Sequence, residues 1–242
     1  MTRSELKPVH HAPWNYRQLR EGIRSYWTAS RDLARAKSRL KAFALFNGVH
    51  CTGDKIYSRP HRPELYQEVA DHLGNIELLK QSYAHMDCCR KRKAAHIKIL
   101  RVLAKPFRED IRVLDSYPGI GFINACTLVA YLENGWRLTN KRKLWQYCGV
   151  GIRRHESAGT GRRGATRKGN RYVKNAVMTA AASIASRRNA DNALTRMWRA
   201  GVSAGIPPAR VKRNVSRKLA ALLHRSLRFK QEYDDARVTM TQ

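Results

Sequence analysis

Acidic side chains are scarce in this sequence: 18 Asp plus Glu stand against 48 Lys plus Arg in 242 residues, a formal net charge of +30 at pH 7. A surplus of that size repels itself unless a polyanion neutralises it, so the partner class read from charge is nucleic acid. A solvated basic surface or a ribosome-like packing protein would carry the same charge, and charge supplies no chemistry. Long apolar runs are missing too. The opening MTRSELKPVHHAPW has no apolar centre and no stretch reaches the length of a membrane span, so neither a signal peptide nor a membrane partner is expected. The reading is a cytoplasmic, nucleoid-associated protein. Cysteines are few and unpatterned. Cys51, Cys88, Cys89, Cys126 and Cys148 are odd in number and contain no CxxC, which argues against a zinc site or a disulfide framework and for reduced structural thiols. Clean strand alternation is absent, apart from a short β pair around Gly149 to Arg163. With 43% hydrophobic residues the chain can nevertheless build a core, and the expected fold class is mainly α.

Hydrophobic periodicity supplies the elements. Leu19, Ile23, Tyr26, Leu33, Leu40 and Phe43 fall on one stripe of a long helix from Arg17 to Phe46. Glu64 to Leu73 reads as a short helix, and Ile76, Leu79, Tyr83, Met86, Ile97, Leu100 and Leu103 mark a second long one from Asn75 to Ala104. The two long helices suit either an antiparallel coiled-coil arm, within or between chains, or an ordinary bundle. Further helices are expected near Glu109–Ser116, Ile123–Leu132, Lys141–Cys148, Asn170–Arg188, Asn192–Ala200 and Pro208–Phe229. The resulting division is a tail over 1–16, a helical connector over 17–105, a domain over 106–232 holding a hairpin at 114–132 and a basic loop at 149–170, and a second tail over 233–242.

Two stretches carry chemistry. In LDSYPGIGFINACTLVAYL, Pro118-Gly119-Ile120-Gly121 lies between two helices. Glycines let backbone approach a phosphate, and the next helix offers free N–H groups and the positive end of its dipole, which are the mechanics of a helix-hairpin-helix gripping sugar-phosphate. From Lys141 to Arg171 the basic residues are Lys141, Arg142, Lys143, Arg153, Arg154, Arg162, Arg163, Arg167, Lys168 and Arg171, and the one acid is Glu156. Ten against one leaves +9 in a glycine-rich loop that phosphates are expected to order. Ser157 sits at its centre in HESAGTGRRG. A serine hydroxyl becomes a phosphoryl-transfer nucleophile when deprotonated amid positive charge, while elsewhere it merely contacts phosphate.

The runs PGIGFINACTLVAYL and LWQYCGVGIRRHESAGTGRRGATRKGNRYVKNAVMTAAASI resemble, in order, the C-terminal domain of the Piv-type insertion-sequence transposases, the IS-one-ten, IS-one-sixteen and IS-nine-oh-two family. ARVKRNVSRKLAALLHRSL is similar to the family's closing helix and SRDLARAKSRLKAFALFNGVH to its coiled-coil connector, so the likeness spans about residues 17 to 229. The resemblance implies DNA transposition and site-specific recombination, with Ser157 as the catalytic serine forming a transient phosphoserine link. Here Ala158 and Gly159 follow that serine, where the family usually has Ser-Gly.

The nucleic-acid contacts expected from the hairpin and the basic loop are Gly119, Ile120, Gly121, Arg153, Arg154, Arg162, Arg163, Arg167, Lys168, Asn170 and Arg171. The implied partners are DNA, a structured guide RNA in some members, and a homo-oligomer or an acidic-domain partner. Family members carry an N-terminal RNase-H-like domain whose four acids bind magnesium. Glu5, Glu21 and Asp32 have no strand context for that site, so Mg2+ is expected in a domain outside this sequence and no cofactor within it. The expectation is a truncated or split enzyme, or a non-catalytic DNA- or RNA-binding remnant that regulates a full-length one. A hairpin-type glycosylase finds little support in Tyr131-Leu132-Glu133. A tyrosine recombinase would use His224 and Arg228 but lacks a paired tyrosine.

Overall fold

The computed structural model describes residues 10–50, 53–71, 75–157, 160–165, 169–186 and 191–239. Among them are ten α-helices and one two-stranded antiparallel sheet, so the fold is mainly α. No helix of the described residues is long and apolar enough to cross a membrane. The chain forms two compact units, one of residues 21–103 and the other of residues 1–20 with 104–242.

The unit of residues 21–103 contains most of α1 (Trp14–Phe46), α2 (Arg62–Asp71) and α3 (Ile76–Leu103). Periodicity places Tyr26, Leu33 and Phe43 on the stripe of α1, yet these are only half-buried. The buried line in this unit is Ile23, Ala29, Ala36, Leu40 and Ala44. Small side chains admit a neighbour closely, and a stripe weighted by large residues misplaces its centre. Ala36, Leu40 and Ala44 share one core with Val49, Ile56, Leu65, Val69, Leu79, Tyr83, Met86 and Cys89. The Tyr83 hydroxyl donates to the Ile56 carbonyl at 2.8 Å, so its polar end is satisfied inside that core.

Beside the core, Arg62 makes a two-pronged contact with Asp87, at 2.9 and 2.8 Å, and lies 4.4 Å above the Tyr83 ring. Hydrogen bonding from Arg62 holds the Asp87 carboxyl below the usual carboxylate range, against a smaller opposing effect of burial. A depressed folded value means the stabilisation is present above the unfolded pKa of about 3.9 and is lost as pH falls through the folded one. Asp87→Asn is therefore expected to lower the melting temperature at pH 7, with the gap to the parent narrowing below about pH 4. Circular dichroism melts across pH measure this, and a gap that stays constant to pH 2 would refute the assignment.

In the other unit α5 (Phe122–Leu132) is central, and all eight residues from Ala125 to Leu132 are buried. Its sequence is mostly apolar, with Asn124 and Thr127 the polar exceptions, which suits a helix enclosed by others. It packs between α4 (Arg108–Asp115) and the alanine-rich α7 (Arg171–Ile184), while α9 (Pro208–Phe229) packs on α4, α6 (Lys141–Tyr147), α7 and α8 (Ala193–Ser203). Three helices start at asparagine: Asn140 accepts from the Lys143 amide, Asn170 from Tyr172 and Val173, and Asn192 from Thr195. A short helix, α10 (Asp235–Thr239), occupies part of the segment that composition reads as a tail. Asp235 fixes it by accepting from the Ala193 amide at 2.7 Å and from Arg196.

Cys88 is exposed, whereas Cys89, Cys126 and Cys148 are buried, and all four are free thiols; Cys51 lies outside the described residues. Burial pushes the Cys126 and Cys148 thiols up to about 12, leaving almost no reactive thiolate at neutral pH. In a Cys51→Ser background, native iodoacetamide is expected to label Cys88 and spare Cys126 and Cys148. Mass mapping of the carbamidomethyl groups checks this, and rapid labelling of Cys126 would contradict it.

Candidate nucleic-acid interface

The hairpin is held from below. After α4 the chain turns at Tyr117, whose buried hydroxyl meets the Ser226 hydroxyl of α9 at 2.6 Å. Gly119 follows in the left-handed region, φ 75°, and a Cβ there would lie 2.6 Å from the Ala180 carbonyl oxygen of α7. Ile120 is buried. Gly121 is exposed and extended, with nothing within 4 Å of a would-be Cβ. It is also the N-cap of α5, and no side chain covers the first turn from that position. The two glycines therefore differ in role: Gly119 lets the turn seat on α7, and Gly121 leaves an uncovered helix start facing solvent.

The glycine-rich basic stretch forms an antiparallel ribbon, β1 (Ile152–Ser157) with β2 (Thr160–Ala165). Its register sets Arg153 opposite Gly164, Arg154 opposite Arg163, His155 opposite Arg162 and Ser157 opposite Thr160. The base of the ribbon is clamped by glycine on glycine, since a Cβ at Gly169 would come within 2.8 Å of the Gly149 backbone. The Asn170 amide donates to the Tyr147 carbonyl at 2.7 Å, and its side chain both caps α7 and donates to the Tyr147 hydroxyl at 3.1 Å. On the other stem the Val150 and Gly151 amides reach the Trp145 carbonyl, both at 3.0 Å, and Arg217 Nε of α9 donates to the Val150 carbonyl at 2.8 Å.

Of the sequence-predicted contacts, Arg153, Arg154, Arg162 and Arg163 stand on the ribbon with Ser157. Gly119, Ile120 and Gly121 stand on the hairpin, and Arg167 and Lys168 lie outside the described residues. Asn170 has its side chain committed to the helix cap and Tyr147. Arg171 is exposed at the start of α7, with one guanidinium nitrogen 3.0 Å from the Tyr172 hydroxyl. Sequence reasoning did not reach Tyr147 and Arg217, which set the ribbon's stems. Arg217 comes from 67 positions beyond the carbonyl it holds, a separation at which periodicity carries no signal. Among the described residues no group of three or more His, Cys, Asp and Glu is arranged to hold a metal ion. The Arg228 guanidinium donates to the Gly135 and Leu138 carbonyls, an internal tie between α9 and the loop after α5.

Residues 111–196, which enclose both the hairpin and the ribbon, match the model of the transposase IS116/IS110/IS902 family. No curated protein matches the chain.

Proposed function

We propose, from the match of residues 111–196 to the model of the transposase IS116/IS110/IS902 family, that the chain acts in DNA transposition and performs the strand-exchange chemistry with Ser157 as nucleophile. The observation that carries this reading is that the family match encloses the serine, the arginine ribbon and the glycine hairpin together. The Ser157 hydroxyl oxygen bonds to phosphorus of a phosphodiester as the bond from phosphorus to a deoxyribose oxygen breaks. The serine proton ends on the departing sugar hydroxyl. The phosphoserine ester conserves the bond energy, and attack by another strand's hydroxyl restores the serine, so no outside energy source is needed.

Positions two apart on a strand share a face, and directly opposed positions share it too. The register therefore groups positions 153, 155 and 157 with 160, 162 and 164, and 154 with 163 on the other face. We assign Arg153 and Arg162 to the charge that develops on the attacked phosphate, and Arg154 and Arg163 to flanking phosphates. Arg167, Lys168, Asn170 and Arg171 extend that track. Gly121 and the first turn of α5 take a backbone phosphate of the duplex, with Gly119 and Ile120 keeping the turn in place. Among the described residues no group of three or more His, Cys, Asp and Glu is arranged to hold Mg2+; an acidic-domain partner would bring it. A guide RNA, a homo-oligomer and a partner bringing an acidic domain belong to the same reading.

The test mixes the chain with an RNase-H-like acidic-domain protein, Mg2+ and nicked or junction DNA, and reads SDS-resistant protein–DNA adduct. Arg162→Ala is expected to slow adduct formation about a hundredfold and Arg163→Ala less than about tenfold, since transition-state donors cost more than binding contacts. Equal effects of the two would remove the face assignment. Absence of any adduct would favour a non-catalytic binding role.

A further inference from the structure

A cleft of about 550 Å3 opens between the start of α6 and α9. Its lining includes Lys141, Lys218 and Arg225, with no Asp or Glu, beside an apolar wall that includes Trp145, Ala221 and Leu222. Two features make it a built site. The indole N–H of Trp145 donates to the Arg217 carbonyl at 3.0 Å, fixing the ring across from α9. The cleft's cations are also crowded: burial and then Lys141 push the Lys218 ammonium below its ordinary range, and burial and then Arg213, which lies outside the lining, do the same to Arg217. Buried His224, in the same wall, is pushed below its ordinary value by burial and by Arg228, which favours its neutral form. An entering anion would relieve that repulsion.

An inorganic anion would need neither the aromatic wall nor this volume, which suits a ring joined to a phosphate. Trp145 and Val150 also belong to the stem of the ribbon, where the Trp145 carbonyl holds the Val150 and Gly151 amides, so the cleft adjoins that stem. We propose that this cleft takes one nucleotide of single-stranded DNA displaced from the duplex beside the ribbon, its base against Trp145 and Leu222 and its phosphate between Lys141, Lys218 and Arg225. The proposal rests on DNA being the substrate.

The test compares a 20-nucleotide single strand with a blunt duplex by fluorescence anisotropy over a salt series, using the full chain. The variants are Lys218→Ala/Arg225→Ala, which removes charge, and Ala221→Trp, which fills the cleft and keeps the charge, each checked by thermal melting. Both are expected to lose about tenfold in single-strand affinity while duplex affinity stays within about twofold. The double variant's log-log salt slope should fall by about 0.7, the share of one phosphate contact for single strands.

Parent-like single-strand binding by the double variant would overturn the proposal. So would thymidine monophosphate binding as tightly as the oligonucleotide, which marks a site for free nucleotides, or equal competition by an acidic peptide, which marks unspecific charge. If the parent chain binds neither DNA with a steep salt dependence, the DNA reading itself fails. If it binds both and the variants change nothing, only the cleft proposal fails.

Discussion

Ser157→Ala is expected to abolish the covalent adduct while leaving DNA affinity within about twofold of the parent. The hydroxyl is the one group of the proposed mechanism that forms a bond to phosphorus, so no neighbouring residue substitutes for it. Removal of a nucleophile of this kind costs about 10^4-fold or more in rate. Affinity behaves differently because it comes from many phosphate contacts along a stretch of net +9, of which one hydroxyl is a small part. Gel assays of adduct alongside anisotropy titrations separate the two quantities. A variant that loses adduct and affinity together would point to a collapsed ribbon. For that reason Ser157→Thr, which keeps a hydroxyl and suits a strand, belongs in the same series.

Gly119→Ala carries the largest expected loss of stability. Its left-handed φ of 75° is poorly tolerated by a side chain, and the added methyl would sit 2.6 Å from the Ala180 carbonyl oxygen. That oxygen is backbone within α7 and cannot swing aside as a flexible side chain would. Strain and overpacking together amount to about 3 kcal/mol, a fall of roughly 6–12 °C in melting temperature for a chain of this size. Gly121→Ala is the contrast, since φ there is −118° and nothing lies within 4 Å of the new methyl. It should melt close to the parent yet bind duplex DNA several-fold more weakly, because the methyl stands where a phosphate would approach the start of α5. The same melt for both variants would mean that the seating of Gly119 on α7 is not what holds the hairpin.

Local chemistry was readable wherever a single segment decides its own structure. Asparagine at 140, 170 and 192 announces helix starts, and Pro208 opens α9. What periodicity could not convey is contact between distant segments. Gly119 was legible as a phosphate-approaching glycine, but its neighbour is α7, 61 positions on at Ala180. Asn170 was legible as a phosphate contact, but its amide and carbonyl oxygen are used by Tyr147 and the α7 cap. The ribbon is a similar case: arginine and glycine give no hydropathic alternation, so a β pair could be suspected around 149–163 while its register, Ile152 with Ala165 through Ser157 with Thr160, had to come from the backbone. In α1 the buried alanines were passed over because hydropathy favours large residues. The α6–α9 cleft escaped notice altogether, since its cations lie on segments about eighty residues apart.

The most direct measurement is tryptic mass mapping of the residue joined to DNA in the trapped adduct formed on a nicked substrate. A nucleotide attached to Ser157, in the peptide bounded by Arg154 and Arg162, is the predicted result. A nucleotide attached to any tyrosine, or to a serine outside the ribbon, would contradict the account.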